Sequence, residues 1–312
     1  MRLFFVSLML MGIGVANAAD ELSAAIENTR VSCGGIGAEL NHMKTMAGIN
    51  TAVTGVGTIA GGVALGTGLA KAATDQEIAD LERQIAELER SRADVPIEKI
   101  TIEHPTDFNR QLNEFVNSYT AELHQKETEL SAAEQKSKTL GNWRTGTLAG
   151  ATATNIAGAV IAGTNRVRGD LKLQIDECLK SLKTLAAVRM QARIDGAATD
   201  VELARAEKIV RACENWATVD VSSINNKSTG ATVSAGVGAG LGLAGTITSA
   251  SANSQNVRDG DADKEKNLNT AANVLAGGTT VASGVATVFN ATQIGAIKRA
   301  ATVADECEGA LK

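Results

Sequence analysis

Residues 46–70 read MAGINTAVTGVGTIAGGVALGTGLA, and this run decides the fold class. It carries no charged residue, and small side chains recur at intervals of four, as in Gly57 with Gly61 and Gly62 with Gly66. Because residues four apart share one face of a helix, each pair forms a smooth groove for a neighbouring helix. The seven glycines of the run would cost an isolated helix roughly 7 kcal/mol relative to alanine, so a membrane or tight helix packing must offset that cost.

Three further stretches share these properties: Thr145–Asn165, Ser228–Val257 and Asn267–Ile297. Each of the four stretches has between 21 and 31 residues, and about 20 apolar residues suffice to span a membrane. Thr, Ser and Asn are frequent in them, however, and Leu is scarce. The glycines predicted to pack helices closely are Gly57, Gly61, Gly62, Gly66, Gly146, Gly150, Gly158, Gly236, Gly240 and Gly284. On this hypothesis Gly150→Leu disrupts packing far more than Gly141→Leu, which lies outside the stretch.

The small residues at four-residue spacing resemble the glycine-zipper segments of bacterial envelope proteins. The resemblance covers roughly a third of the chain and implies close helix association, sometimes in membranes. Two other interpretations remain open. One is a soluble helical bundle packed through Ala and Gly, and the other reads the Thr/Val/Gly alternation as β-strands.

The two halves of the chain correspond to each other. The segment from Thr147 to Gly150, followed by Cys178, is echoed by Val274 to Gly277, followed by Cys307. This correspondence predicts a duplication with a first repeat at 19–195 and a second at 196–312. The predicted fold is therefore all-α, with two duplicated long helical hairpins that carry the glycine-rich segments.

The first repeat carries an insertion at 71–144. Ile78, Leu81, Ile85 and Leu88 occupy the a and d positions of a short coiled-coil seam, with Glu and Arg between them. Pro96 and Pro105 bracket a break, after which a helical pattern resumes. The insertion is predicted to be a coiled-coil arm that projects from the first hairpin.

Two shorter helices are predicted between the repeats, over 170–194 and 201–216. Gly196 is the stop between them, and Thr199 with Glu202 forms a capping box. Trp143 and Trp216 flank the second and third stretches, where they would act as interfacial anchors or pack at a helix junction.

The N-terminus reads as an export signal. Arg2 precedes an apolar core, and Ala16-Asn17-Ala18 is a small-x-small cleavage pattern that predicts a signal peptide at 1–18. An exported chain with four cysteines is expected to hold disulfides. Counting residues from the predicted turns places all four cysteines near one level. Cys33–Cys178 with Cys213–Cys307 and Cys178–Cys213 with Cys33–Cys307 fit this level equally well, and we prefer the first pairing because a single ancestral unit could have formed it.

No catalytic, cofactor-binding or metal-binding site is predicted. The glycine runs match neither a dinucleotide-binding fingerprint nor a phosphate loop, and the three histidines have no paired nucleophile or ligand spacing. Acidic and basic residues are interspersed at a net charge of −5, so no nucleic-acid interface is expected. The charge bias between the ends of the stretches is too slight to assign an orientation.

These observations predict a protein that is not an enzyme. The first hypothesis is an exported protein of the periplasm or outer envelope whose hairpins associate with or insert into a membrane, in a structural or oligomeric pore-like role. The alternative is a soluble periplasmic or secreted helical scaffold that binds a protein partner through the coiled-coil arm. The sequence does not separate a resident envelope protein from a secreted toxin that inserts into other cells.

Overall fold

The computed structural model describes residues 20–93, 105–254, 257 and 262–312. The predicted signal peptide and the break after Pro96 lie outside the described residues. The fold is all-α, and no strand occurs among the described residues, so the β interpretation is wrong for them. The helices are α1 (20–33), α2 (Ile36–Ala93), α3 (Pro105–Thr164), α4 (Gly169–Ile194), α5 (Asp200–Cys213), α6 (Val221–Ala252) and α7 (Ala262–Leu311), with a short 3-10 helix at Glu214–Thr218.

The shorter helices begin and end at local signals. Gly35, with φ +84°, separates α1 from α2, and Gly196, with φ +62°, follows the end of α4. The predicted capping box is confirmed: the Glu202 backbone N–H donates to Thr199 Oγ1 at 3.3 Å, and the Thr199 backbone N–H donates to Glu202 Oε2 at 2.9 Å. These local hydrogen bonds satisfy donors that the first turn of α5 would otherwise leave unpaired.

The chain divides into two compact units. Unit 1 comprises 1–55, 156–236 and 284–312, and unit 2 comprises 56–155 and 237–283. The boundaries fall inside α2, α3, α6 and α7, so each of these helices supplies residues to both units. Each unit also draws on both predicted repeats, and the units therefore differ from the division at 195.

Unit 1 has an ordinary apolar core. Its largest fully buried side chain is Trp216, which packs among Leu, Ile and Ala residues from α1, α4, α5, α7 and the beginning of α2. Both disulfides lie in this core: Cys33 with Cys178 at a Cα–Cα distance of 4.7 Å, and Cys213 with Cys307 at 4.5 Å. This is the pairing that closes each predicted repeat on itself.

Unit 2 is a four-helix arrangement of α2, α3, α6 and α7. Contacts between α2 and α3 pair rising residue numbers on α2 with falling residue numbers on α3. Gly57 of α2 lies against Thr154 of α3, and Asp75 of α2 accepts a hydrogen bond from Ser137 of α3. The same holds for α6 and α7, where Gly245 lies against Leu275 and Gly278 against Leu241. The neighbouring helices are thus antiparallel. Fewer apolar residues are buried here than in unit 1, and Ala64, Leu148 and Ala276 form a small cluster.

The arm segment of unit 2 follows the predicted seam. Leu81 is buried, and Ile78, Ile85 and Leu88 are half-buried, whereas the Glu and Arg residues between them are exposed. On α3, Tyr119 and Ala133 are buried. Residues 110–118 of α3 are exposed throughout.

Candidate membrane-facing surface

The uncharged stretches expose large aliphatic side chains. On each of the four helices, Val, Ile or Leu residues point outward with no charged residue among them. We call this set the outer apolar surface of each unit. In unit 1 its members are Ile49, Ile156, Val160, Val233, Val285 and Val288, and in unit 2 they are Val56, Ile59, Val63, Leu69, Val237, Leu243, Ile247, Val274 and Val281. Exposed apolar residues also occur on α4, for example Leu173, but there they stand singly among charges.

The inward faces of the same stretches combine buried Ala residues with buried, hydrogen-bonded Asn, Ser and Thr. In unit 2, Asn155 and Ser283 are fully buried and bonded to each other: Asn155 Nδ2 donates to Ser283 Oγ at 2.7 Å, and that hydroxyl lies 2.9 Å from Asn155 Oδ1. In unit 1, Asn50 Nδ2 donates to Asn290 Oδ1 at 2.8 Å, and Asn290 Nδ2 donates to Thr54 Oγ1 at 3.3 Å. These buried hydrogen bonds join α3 to α7 and α2 to α7, and together we call them the polar interior.

Glycines make room for this polar interior. A Cβ on Gly238 would lie 2.9 Å from Asn155 Nδ2, and one on Gly57 would lie 2.7 Å from Thr154 Oγ1. In unit 1, a Cβ on Gly158 would lie 2.6 Å from Thr54 Cγ2. Such distances are shorter than packed carbon and polar atoms allow, so these backbones approach their neighbours more closely than alanine would permit.

The structure divides the predicted helix-packing glycines into two groups. Gly57, Gly61 and Gly158 lie against a neighbouring helix, and Gly284 is half-buried. For the others a Cβ would meet nothing within 4 Å, so no close helix contact is seen at them; they are Gly62, Gly66, Gly146, Gly150, Gly236 and Gly240.

The predicted contrast between Gly150 and Gly141 is reversed. Gly150 is exposed and faces open space, whereas Gly141 is buried against the side chain of Asn253. A bulky residue at Gly150 would therefore meet open space near its Cβ, whereas one at Gly141 would have to displace the Asn253 side chain. The expectation failed because four-residue spacing marks a face of a helix without saying whether that face is turned inward.

A buried ion network lies at the unit 2 ends of the stretches. The Lys71 side chain is only 1% exposed, and its ammonium donates to Asp75 Oδ2 at 2.7 Å and to Glu265 Oε1 at 2.9 Å. Arg144 is fully buried and donates to Asn269 Oδ1 at 2.6 Å and, through Nε, to a serine hydroxyl. With two cations and two carboxylates, the network is neutral as a whole, which is the condition for burying charges.

The two tryptophans have different environments. Trp143, beside the second stretch, is 63% exposed, which is compatible with an interfacial anchor. Trp216 is 1% exposed in the apolar core of unit 1, so of its two predicted roles the packing role is the one observed.

Three helical regions are long and apolar enough to cross a membrane, judged by length and composition: Asp20–Ser91, Val221–Ala252 and Asp263–Leu311. The stretch on α3, which is richer in Thr, is not among them. Within the part of the chain that the structure describes, no group of three or more His, Cys, Asp or Glu residues is placed to hold a metal ion. No family model, no curated protein and no solved structure matches this chain.

Proposed function

We propose that this is an exported cell-envelope protein whose two duplicated glycine-rich hairpins associate with or insert into a membrane. Its role would be structural or pore-like, as a single chain or a homo-oligomer. The main support for this proposal is the arrangement of side chains in the stretches, with aliphatic residues outside and hydrogen-bonded Asn, Ser and Thr inside. The remaining parts, the disulfide-bonded core of unit 1 and the arm, are charged on their surfaces and suited to water.

The energetics favour lipid over water as the surrounding of the outer apolar surface. Burying one Val, Leu or Ile side chain contributes about 1.5–3 kcal/mol of free energy. A protein surrounded entirely by water would lose this contribution at each outward position. Soluble monomers rarely expose large contiguous apolar patches. In lipid, apolar side chains gain nothing by packing together, so helices associate through small residues and interhelical hydrogen bonds. Both features occur in the interior described above.

Carbonate extraction of a membrane fraction tests this function, with two matched substitutions. Val281 in the fourth stretch and Leu173 on α4 are exposed to similar degrees, 67% and 63%. A lysine at a lipid-facing position costs roughly 2.5–3.5 kcal/mol, so Val281→Lys should reduce retention in the carbonate pellet and Leu173→Lys should not. Complete release of the unaltered protein would refute membrane insertion.

A second function has its own observation. On α3, in the arm, Leu112 is exposed one helical turn before the exposed pair Phe115 and Val116, as in a surface that receives a partner. On this hypothesis the protein is a soluble periplasmic or secreted scaffold. Circular dichroism and sedimentation of the mature protein without detergent test it, because recovery only as an aggregate would argue against a soluble scaffold.

A further inference from the structure

Each uncharged stretch is bounded at its unit 1 end by a basic residue. The nearest charged residues there are Lys44 before the first stretch, Arg166 after the second, Lys227 before the third and Lys298 after the fourth. We call these four residues the basic belt. All four are basic although acidic residues outnumber basic ones in the chain, 35 to 30.

Hydrogen bonds between helices bring the belt to one level of unit 1. Asn165 Nδ2 donates to the Met43 carbonyl at 3.0 Å, and Gln293 Nε2 donates to the Asn165 carbonyl at 3.0 Å. The Val167 backbone N–H donates to Asn225 Oδ1 at 2.8 Å. These contacts join α2, the end of α3, α6 and α7 at the positions where the charges begin.

The belt residues adjoin these contacts. Lys44 follows Met43, Arg166 lies between the two bonded residues at the end of α3, and Lys227 lies two residues after Asn225. Lys298 is five residues beyond Gln293, which is about 7.5 Å along a helix. An extended lysine side chain covers most of that distance, so Lys298 can bring its charge towards the level of the other three.

The belt residues form no salt bridge within the described chain. Arg166 and Lys298 are exposed, and Lys44 and Lys227 are half-buried. The Lys227 ammonium donates to a backbone carbonyl at 3.4 Å and also interacts electrostatically with the Asp220 carboxylate.

The unit 2 ends of the first two stretches differ from the belt. They are also bounded by basic residues, Lys71 and Arg144, but these are buried, and Lys71 is paired with Asp75 and Glu265. For these two stretches the unpaired charge is therefore at the unit 1 end.

We propose that the basic belt binds the phosphates of anionic phospholipids where the outer apolar surface meets the membrane–water interface. This inference rests on the proposed membrane association. Lys and Arg at the ends of apolar helices extend their charges to the headgroup level, and each is worth about 1 kcal/mol at an anionic surface. The occupant is a layer of lipid headgroups, because the four charges come from four helices and do not converge on a single phosphate.

Flotation with lipid vesicles tests the proposal. The mature, disulfide-bonded protein is diluted from mild detergent onto vesicles of phosphatidylcholine alone or phosphatidylcholine mixed with phosphatidylglycerol. The belt variant replaces all four residues by Gln. A matched control replaces three lysines and one arginine, all exposed on α4 and α5; these residues are Lys180, Lys183, Arg193 and Lys208. Circular dichroism and non-reducing electrophoresis establish that each variant is folded.

The unaltered protein and the control should bind more tightly when phosphatidylglycerol is present, and added salt should reduce this preference. Each lost belt charge should weaken the binding to anionic vesicles about fivefold, so the belt variant should lose most of the preference while keeping its binding to phosphatidylcholine. A single Arg166→Gln variant should show a partial loss if the fourfold variant fails to fold.

Two results would contradict the proposal that the basic belt binds anionic lipids. One is a belt variant that keeps the preference for phosphatidylglycerol vesicles, and the other is a control variant that loses this preference equally. Displacement of the protein from the vesicles by soluble glycerol phosphate would also overturn it, because the occupant would then be a free anion. Failure of the unaltered protein to float with either kind of vesicle is a different result, since it would refute the proposed membrane association itself.

Discussion

Gly61 and Gly62 are adjacent in α2 but face opposite surroundings. A Cβ on Gly61 would lie 2.7 Å from Thr280 Oγ1 and 3.2 Å from the Thr280 Cα, whereas a Cβ on Gly62 would meet open space. Because one residue turns a helix by about 100°, two neighbouring four-residue series lie on different faces. The four-residue glycine spacing therefore occurs both in the series of Gly61, which packs against a neighbouring helix, and in the series of Gly62, which faces outward.

This difference predicts opposite effects of the same substitution. Gly62→Ala should stabilise the fold by up to about 1 kcal/mol, because alanine favours a helix over glycine. Gly61→Ala should destabilise it by roughly 1–3 kcal/mol, because the backbone of α7 has no room to withdraw without losing its contacts. Urea unfolding followed by circular dichroism measures both. Stabilisation by both substitutions would show that the helices are not in close contact at Gly61.

The buried ion network predicts a large penalty for a single lost charge. Lys71→Met would leave Asp75 and Glu265 without their shared cation, at an expected cost of about 1–3 kcal/mol, because both carboxylates are partly exposed and water can hydrate them in part. Lys126→Met is the control, because Lys126 pairs with the exposed Glu129 and its loss should have a far smaller effect on stability. Adding Glu265→Gln to Lys71→Met should recover part of the loss, and no recovery would mean that the two charges are not coupled.

At the level of single elements, the start of α5 depends on an ionised side chain. Hydrogen bonds from the Thr199 backbone N–H and hydroxyl lower the pKa of the Glu202 carboxyl below its ordinary value. The lowered pKa means that the ionised carboxylate is favoured in the folded state. Its contribution to stability is present above the unfolded-state pKa and is lost as pH falls through the folded-state pKa.

Glu202→Gln should therefore lower the melting temperature at neutral pH, and the gap to the unaltered protein should close in acid. Thr199→Ala removes the hydroxyl of the same cap and should cost about 1 kcal/mol at neutral pH. Melting curves across the acid range measure both. A gap that widens as pH falls would contradict this assignment of the capping box.

The elements between the repeats were predictable because their signals are local. The predicted helices at 170–194 and 201–216 correspond to α4 and to α5 with its following 3-10 helix, and Gly196 separates them as expected. The end of α4 is set by Gly196 and the beginning of α5 by the Thr199–Glu202 capping pair, both within a few residues of sequence. The orientation of the glycine-rich helices was not predictable in the same way, because glycines recur at four-residue spacing on the inward and the outward face alike.

At the scale of the whole molecule, the sequence predicted an all-α chain but not its two units. Repeats are read along the chain, whereas the units are defined by contacts, and α2, α3, α6 and α7 each pass through both units. The basic belt was also missed as a set, although its members were visible as the first charges beside each stretch. Its signal lies in the hydrogen bonds of Asn165, which place distant residues at one level.

Both disulfides belong to unit 1, and this distribution predicts an uneven response to reduction. Each bridge joins residues far apart in sequence, by 145 residues for Cys33–Cys178 and 94 for Cys213–Cys307, and should stabilise the fold by roughly 2–4 kcal/mol by restricting the unfolded chain. Non-reducing peptide mapping should find these two links and no free thiol in the mature protein.

Reduction should also affect the two units differently, because unit 2 contains no bridge among its described residues. Amide hydrogen exchange should rise in the apolar core of unit 1 well before it rises in the polar interior of unit 2. A Cys178–Cys213 link would refute the pairing, four free thiols would argue against export, and an equal rise of exchange in both units would mean that they unfold together.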